Sequence, residues 1–445
     1  MVQALESDRS SAERSTVLPA AAALGLIAAG ISLLRLWLGN RSAITEVLWA
    51  EDGLFPLCIH KADFLTCTTQ PFAGYLLFLP RVLAWPVSVL PIEQWALAAN
   101  LIAALLAGVS AFLVFWFARR YGFTFFVSVV LGLLPVIAPM SGLEAINAVG
   151  SSYMLLLYVT TLGIVFGQAS RGWWWVVAVL ALLTALTIPS AVVLLPVVLI
   201  QFLRGRMPLT WSGLVAGALI LGLLAQTWTA LTAQTPRPVS VTGETLSSWA
   251  DSVPISLLTY WPGLSLGEYS FFTNFSLTPF PGTGWLVVGV LLVVGVLLVV
   301  RGWTSQDRLS VVGLLVLSGL AFGLIPSAIG EPNNRYFVVP VLLWGAALLV
   351  ALDPVIRRTR WWVTALVAAV VLALWWPAMP ASWFRSTPAP PWTQEVERVK
   401  AFCVSDPALI ERPIFTPFWP PNWGDGLDEP THPNLPCTTV FRWID

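Results

Sequence analysis

The residues best suited to chemistry in this chain are an adjacent acidic pair, Glu51 and Asp52, in the stretch Trp49-Ala50-Glu51-Asp52-Gly53. Only 10% of the 445 residues are charged, so two carboxylates about a dozen positions past an apolar run need a reason. An acid beside a membrane is costly unless it faces water, a partner or a substrate. A carboxylate in that position can act as a general base, taking the proton of an attacking hydroxyl, which is typically worth ~10²–10⁴ in rate. The second acid can orient the first, bind hydroxyls or hold a metal, and Asp-Gly is also an ordinary turn dipeptide. His60 and Lys61 follow in the same loop as substrate-contact candidates, with His60 read first as structural.

A second group is Glu331-Pro332-Asn333-Asn334-Arg335-Tyr336. The planar fork of Arg335 suits a phosphate, with Tyr336 beside it and the amides of Asn333 and Asn334 able to bind a ligand. The competing reading is an arginine snorkelling to headgroups next to an interfacial tyrosine. Arg81, between Pro80 and Pro86, is a further phosphate candidate, with Tyr75 as its support. Glu144 and Asn147 stand three residues apart and share one helical face, where they can hold sugar hydroxyls or cap the next helix.

The elements that must position these residues are apolar helices. The chain is 57% hydrophobic with a mean hydropathy of +0.79, far too little charge to cover a soluble protein of this size. Runs of about 18 or more apolar residues mark a polytopic membrane protein. Eleven spans are expected, near 17–38, 93–118, 122–139, 151–168, 173–188, 190–203, 210–229, 284–301, 309–327, 337–352 and 361–379. The first run is too long for a signal-peptide core and reads as a retained span. With residues 1–16 placed as a cytoplasmic tail, twelve arginines fall on the inner face against five acids there, as the positive-inside rule requires. An odd span count then puts the C-terminus outside.

Inner connections are short, while the segments 39–92, 230–283 and 380–445 are long and lie outside, so function is expected on the outer face. In 39–92, the stretch Gly74–Leu90 is apolar but interrupted by Pro80 and Pro86, and reads as interfacial helix rather than a full span. Residues 173–203 must supply two spans from 31 positions, which predicts a turn below the surface at Thr187-Ile188-Pro189-Ser190 and a recessed, outward-opening cavity. The tail 380–445 reads as a small mixed α/β cap on the transmembrane domain 17–379. It offers an amphipathic helix around Trp392–Cys403, with Val396, Val399 and Cys403 on one face, and extended pieces at 413–415 and 439–441.

The four cysteines, Cys58, Cys67, Cys403 and Cys437, all lie in polar stretches. Proximity favours the pairs Cys58–Cys67 and Cys403–Cys437, and disulfides would place both segments in an oxidising compartment. Zero net charge gives no reason to expect nucleic-acid binding. There is no phosphate-binding Gly-rich loop, no GxSxG, no HExxH and no CxxC. With two histidines and four paired cysteines, no metal site is expected.

The acidic pair after span 1, the long first loop with interfacial helices, and the outward C-terminal segment resemble the GT-C superfamily of membrane glycosyltransferases. The stretches Trp49–Gly53, Pro71-Phe72-Ala73-Gly74-Tyr75 and Arg335-Tyr336 also resemble uncharacterised membrane proteins of GC-rich bacteria, and the layout is broadly similar to some bacterial arabinofuranosyltransferases. The resemblance implies a bacterial plasma-membrane enzyme that inverts configuration while moving a sugar from a polyprenyl-phosphate donor to an acceptor hydroxyl on a glycan, lipid or protein. It implies Asp52 or Glu51 as the base, with Asp52 favoured, and Arg335 as a donor-phosphate ligand. No cofactor is expected beyond the lipid-linked sugar donor. Two other readings are a transporter or flippase of a lipid-linked saccharide, and a polymerase or ligase using diphosphate-linked glycans. A transporter would call for mid-span ionisable residues and repeated halves, whereas charge here stays at span ends, with Arg35 the nearest exception.

Overall fold

A computed structural model describes residues 2–39, 41–48, 52–72, 74–138, 148–167, 171–233, 247, 250, 253, 283–304, 307–329, 337–375, 391–405, 411–413 and 434–437. The chain is helical nearly throughout these segments. Helix α1 (Val2–Gly39) carries the first apolar run, and the polar residues before Val17 continue the same helix. Four short helices make the first loop: α2 (Ala43–Glu46), α3 (Leu54–Lys61), α4 (Phe64–Thr69) and α5 (Phe78–Ser88). A 3₁₀ turn at Ile92–Gln94 leads into α6 (Trp95–Tyr121), followed by α7 (Phe125–Ile137) and α8 (Tyr153–Val165). Then come α9 (Arg171–Thr187), a 3₁₀ segment at Pro189–Val193, α10 (Leu194–Leu203) and α11 (Leu209–Thr232). The remaining apolar helices are α12 (Thr283–Thr304), α13 (Asp307–Ile329), α14 (Val338–Arg358) and α15 (Trp361–Trp375).

Every apolar run read from the sequence folds as helix, but six of them have the length and composition of a full membrane crossing: Thr16–Leu38, Ile92–Tyr121, Leu209–Thr232, Gly284–Trp303, Asp307–Ile325 and Val338–Arg358. The other five are short apolar helices. One of the five is α8, whose 13 residues rise only about 20 Å. All of them except Leu156 are buried, so protein rather than lipid surrounds this helix and nothing requires it to match the bilayer. Close packing of α1 on α6 rests on two glycines: a Cβ on Gly25 would lie 2.9 Å from the Gly108 carbonyl oxygen, and one on Gly108 2.7 Å from that of Gly25.

The break between α9 and α10 falls where the sequence places it. Thr187 ends the helix, Ile188 is extended, and Pro189 opens the 3₁₀ segment. The first loop reaches this break. Phe72 and Tyr75 pair their backbones around a tight turn (2.8 and 3.1 Å) in which Gly74 holds φ 80°, a value suited to glycine at the third turn position. Just beyond it, the Leu76 N–H donates to Gln226 Oε1 and Gln226 Nε2 donates back to the Leu76 carbonyl, both at 2.8 Å. The Leu79 N–H then donates to Thr187 Oγ1 at 3.2 Å. Gln226 lies six residues before the end of α11, so the loop is anchored about 9 Å below that end. A backbone at that depth needs such partners because lipid offers none. We expect Gln226→Leu to orphan both Leu76 groups and to lower unfolding stability in detergent by about 2 kcal/mol, with Gln226→Asn no better, since the shorter amide cannot reach both.

Helix α16 (Trp392–Ser405) buries Trp392, Glu395, Val396, Val399 and Cys403 on one stripe, the amphipathic face expected from the sequence. Strands β1 (Glu411–Pro413) and β2 (Asn434–Pro436) pair antiparallel, with Arg412 opposite Leu435. Of the extended pieces expected at 413–415 and 439–441, Pro413 ends β1 and the other residues lie outside the described residues. The disulfide Cys403–Cys437 ties the residue after β2 to α16. The other disulfide joins Cys58 and Cys67 across nine residues of the first loop.

Candidate active site in the first loop

Asp52 stands at the foot of α3, 3% exposed. Its Oδ2 accepts from the Val149 N–H at 3.1 Å and its Oδ1 from the Gly150 N–H at 2.6 Å. The carboxylate therefore grips the backbone at the entry to α8 with both oxygens. Arg35, buried near the end of α1, makes the counterpart contact, donating from Nη1 to the carbonyls of Val136 (2.7 Å) and Ala138 (3.0 Å). One buried cation and one buried anion thus hold the two flanks of the segment 139–147, the stretch that contains Glu144 and Asn147.

One helical turn beyond Asp52, the Phe55 ring faces the guanidinium of Arg81 at 5.7 Å, and Phe72 faces it at 6.0 Å. Arg81 Nη1 donates to the carbonyls of Cys67 and Gln70. Burial pulls this guanidinium down to about 10, partly offset by the nearby Tyr75 hydroxyl, so it stays charged at neutral pH. Arg81, read from the sequence as a phosphate candidate, closes the loop through Nη1, whose two acceptors are the carbonyls of Cys67 and Gln70 beside the Cys58–Cys67 disulfide. Tyr75 is its neighbour, as expected, and packs edge-on against Phe72.

His60 donates from Nε2 to the Ser88 carbonyl at 2.8 Å and stacks on Trp95 at 5.5 Å, a structural role that ties α3 to α5 and α6. Trp95 stacks in turn on Trp392 at 6.4 Å. The C-terminal helix docks here through the Trp392 indole N–H to the Ile92 carbonyl (2.7 Å), and through the backbone N–H and hydroxyl of Thr393 to Glu46 Oε2 (3.0 and 2.8 Å). Lys400 adds ion pairs to Glu93 and, at 2.9 Å, to Glu397. Lys61 ends α3 and is exposed. Glu51, Glu144, Asn147, Asn333, Asn334, Arg335 and Tyr336 lie outside the described residues.

Sequence reasoning passed over Asn100, Gln226 and Glu46. Asn100 Nδ2 sits 3.0–3.1 Å from the carbonyls of Ala43, Ile44 and Val47, which fixes the end of α2. The available signal was polarity inside an apolar helix, since a lone amide in a span marks a partner elsewhere. Among the described residues no group of three His, Cys, Asp or Glu side chains could hold a metal ion.

Together these features define a helical membrane protein with a disulfide-stapled first loop, on which a C-terminal helix docks. No protein-family model matches the chain, and no curated protein matches it. Among solved structures, it is similar to the archaeal oligosaccharyltransferase AglB from Archaeoglobus fulgidus, in complex with an inhibitory peptide and a dolichol-phosphate, with 12% sequence identity and a TM-score of 0.46. The match covers 86% of this chain and 58% of that one, so the chain spans less than two thirds of that protein's length. At that similarity the match assigns neither a family nor an activity.

Proposed function

We propose that this chain is a GT-C-type membrane glycosyltransferase that moves one sugar from a polyprenyl-phosphate donor to an acceptor hydroxyl on the outer face of a bacterial plasma membrane. The observation that carries the reading is the acidic pair after span 1, whose Asp52 is locked by two backbone N–H groups into a loop stapled by Cys58–Cys67. Both disulfides support an outward position for the first loop and the C-terminal segment.

In this mechanism the acidic pair divides its labour. Asp52, buried with both oxygens engaged, positions the site. Glu51 takes the proton of the acceptor hydroxyl as that oxygen bonds to the anomeric carbon. The bond from that carbon to the donor phosphate oxygen breaks, and its electron pair leaves on the phosphate. Arg335 stabilises the charge building there. Attack opposite the leaving group inverts the anomeric centre. Glu144 and Asn147, on the segment flanked by Arg35 and Asp52, are assigned to sugar or acceptor hydroxyls, as are Asn333 and Asn334.

The test is consumption of radiolabelled polyprenyl-phosphate sugars by purified protein in detergent, with Arg335→Gln alongside. The expected result is sugar release from the monophosphate donor, no use of a diphosphate-linked donor, and at least about a hundredfold loss of kcat/KM in the variant, in the range of one lost charge-stabilising contact. Movement of intact donor across liposomes without bond cleavage would instead establish a flippase and end this reading.

A further inference from the structure

The arginine-bearing ends of the helices form a feature that the transfer chemistry does not use. Asp353 is fully buried and accepts from the Thr124 backbone N–H and from Arg357 Nε, both at 2.8 Å. It also pairs with Arg308 Nη1 at 2.9 Å. Beside it, Asp307 pairs with Arg204 at 3.4 Å and with Arg206. Four arginines against two aspartates leave this end of the bundle with an excess of positive charge, and each aspartate is already engaged by two cations.

Between α13 and α14, next to this cluster, lies a cleft of about 420 Å³. Arg308, a third exposed, forms part of its wall, with its guanidinium 5.8 Å from the Phe123 ring. Asp307, already paired with Arg204 and Arg206, also lines it, and the rest of the wall is apolar, from Leu309, Val312, Val350, Ala351 and Pro354. A cationic rim continuous with an apolar wall matches a molecule that is anionic at one end and hydrocarbon at the other. A free phosphate would leave the apolar wall uncovered. A zwitterionic headgroup would bring an ammonium to a site whose two carboxylates are already neutralised.

We propose that this cleft binds the phosphodiester of an anionic membrane lipid, with the phosphate on Arg308 and an acyl chain along Leu309, Val312 and Val350. The experiment titrates the detergent-solubilised full chain with phosphatidylglycerol, with phosphatidylcholine of the same acyl chains, and with inorganic phosphate, counting retained lipid by native mass spectrometry. The expected result is one phosphatidylglycerol retained at least about tenfold more tightly than phosphatidylcholine, a difference of about one decade in Kd, with no competition from inorganic phosphate at equal concentration. Ala351→Trp fills the cleft without removing a charge, and Arg308→Gln removes the cation; each should cost about the same factor. Equal retention of the two lipids, or unchanged retention in Ala351→Trp, overturns the proposal. Competition by inorganic phosphate at equal concentration would make this a free-phosphate site and overturn it too. The two-lipid comparison uses the unaltered chain, so it decides the matter even where a variant fails to fold.

Discussion

Asp52→Ala is expected to destabilise the protein by about 3–5 kcal/mol and to abolish sugar transfer, because it strips both acceptors from two buried backbone N–H groups. Hydrogen bonds to a charged acceptor contribute about 1.5–3 kcal/mol each, and the orphaned donors stay desolvated. Those donors belong to Val149 and Gly150, at the entry to α8, so their release also loosens one flank of the segment carrying Glu144 and Asn147. Asp52→Asn is the more discriminating variant. Its amide keeps one oxygen for one N–H but turns an NH₂ donor toward the other, so roughly half the loss remains. Glu51→Gln should lose turnover while the unfolding midpoint stays put, if the proton goes to Glu51. The measurement is thermal unfolding in detergent beside the transfer rate for all three variants. Should Asp52→Asn keep its full stability and lose turnover alone, Asp52 is itself the base, and the proposed division of labour is wrong.

The second large effect is expected at Arg81. Arg81→Met leaves the Cys67 and Gln70 carbonyls without their donor and removes a cation from beside the Phe55 and Phe72 rings. Leaving two buried acceptors unsatisfied costs about 2–4 kcal/mol, reduced by the relief of no longer desolvating a cation. Among the described residues no carboxylate pairs with Arg81, so the carbonyls and ring faces carry its charge. Arg81→Lys keeps the charge but not the planar fork, and a point-like ammonium cannot reach two carbonyls while stacking on a ring. It should therefore recover only part of the stability. Because the clamp lies in the loop stapled by Cys58–Cys67, stability loss and transfer loss should move together, while the KM for the lipid donor in the folded fraction stays near that of the unaltered protein. A lysine variant of normal stability with a tenfold higher donor KM would return Arg81 to phosphate binding.

The first effect turns on partners far away in the chain and the second on partners 11 and 14 residues away in the same loop, and that separates what each level of description determines. The apolar runs, the two disulfides, the helix break at Pro189 and the buried stripe of Val396, Val399 and Cys403 were legible in the sequence. Each is local: it follows from the period of the hydrophobic pattern, from a proline's missing donor, or from the nearness of two cysteines. The acidic pair and Arg81 were legible as anomalies of charge in an apolar chain, but their tasks were not. Asp52 acts on backbone 97 and 98 residues away, and Gln226 on backbone 150 residues away.

Hydrophobic patterning fixes which face of a helix is buried but not which helix it meets. A buried polar group takes whichever partner the packing brings within about 3 Å. The same reasoning covers α8, whose sequence shows an apolar run and whose packing encloses it among its neighbours. The sequence by itself determined that this chain is a bundle of apolar helices with a stapled, acidic first loop. Only the tertiary structure decided that Asp52 grips the entry to α8 and that Arg81 closes the loop, because which donor meets which acceptor in a low-dielectric interior depends on the folded geometry and not on residue type.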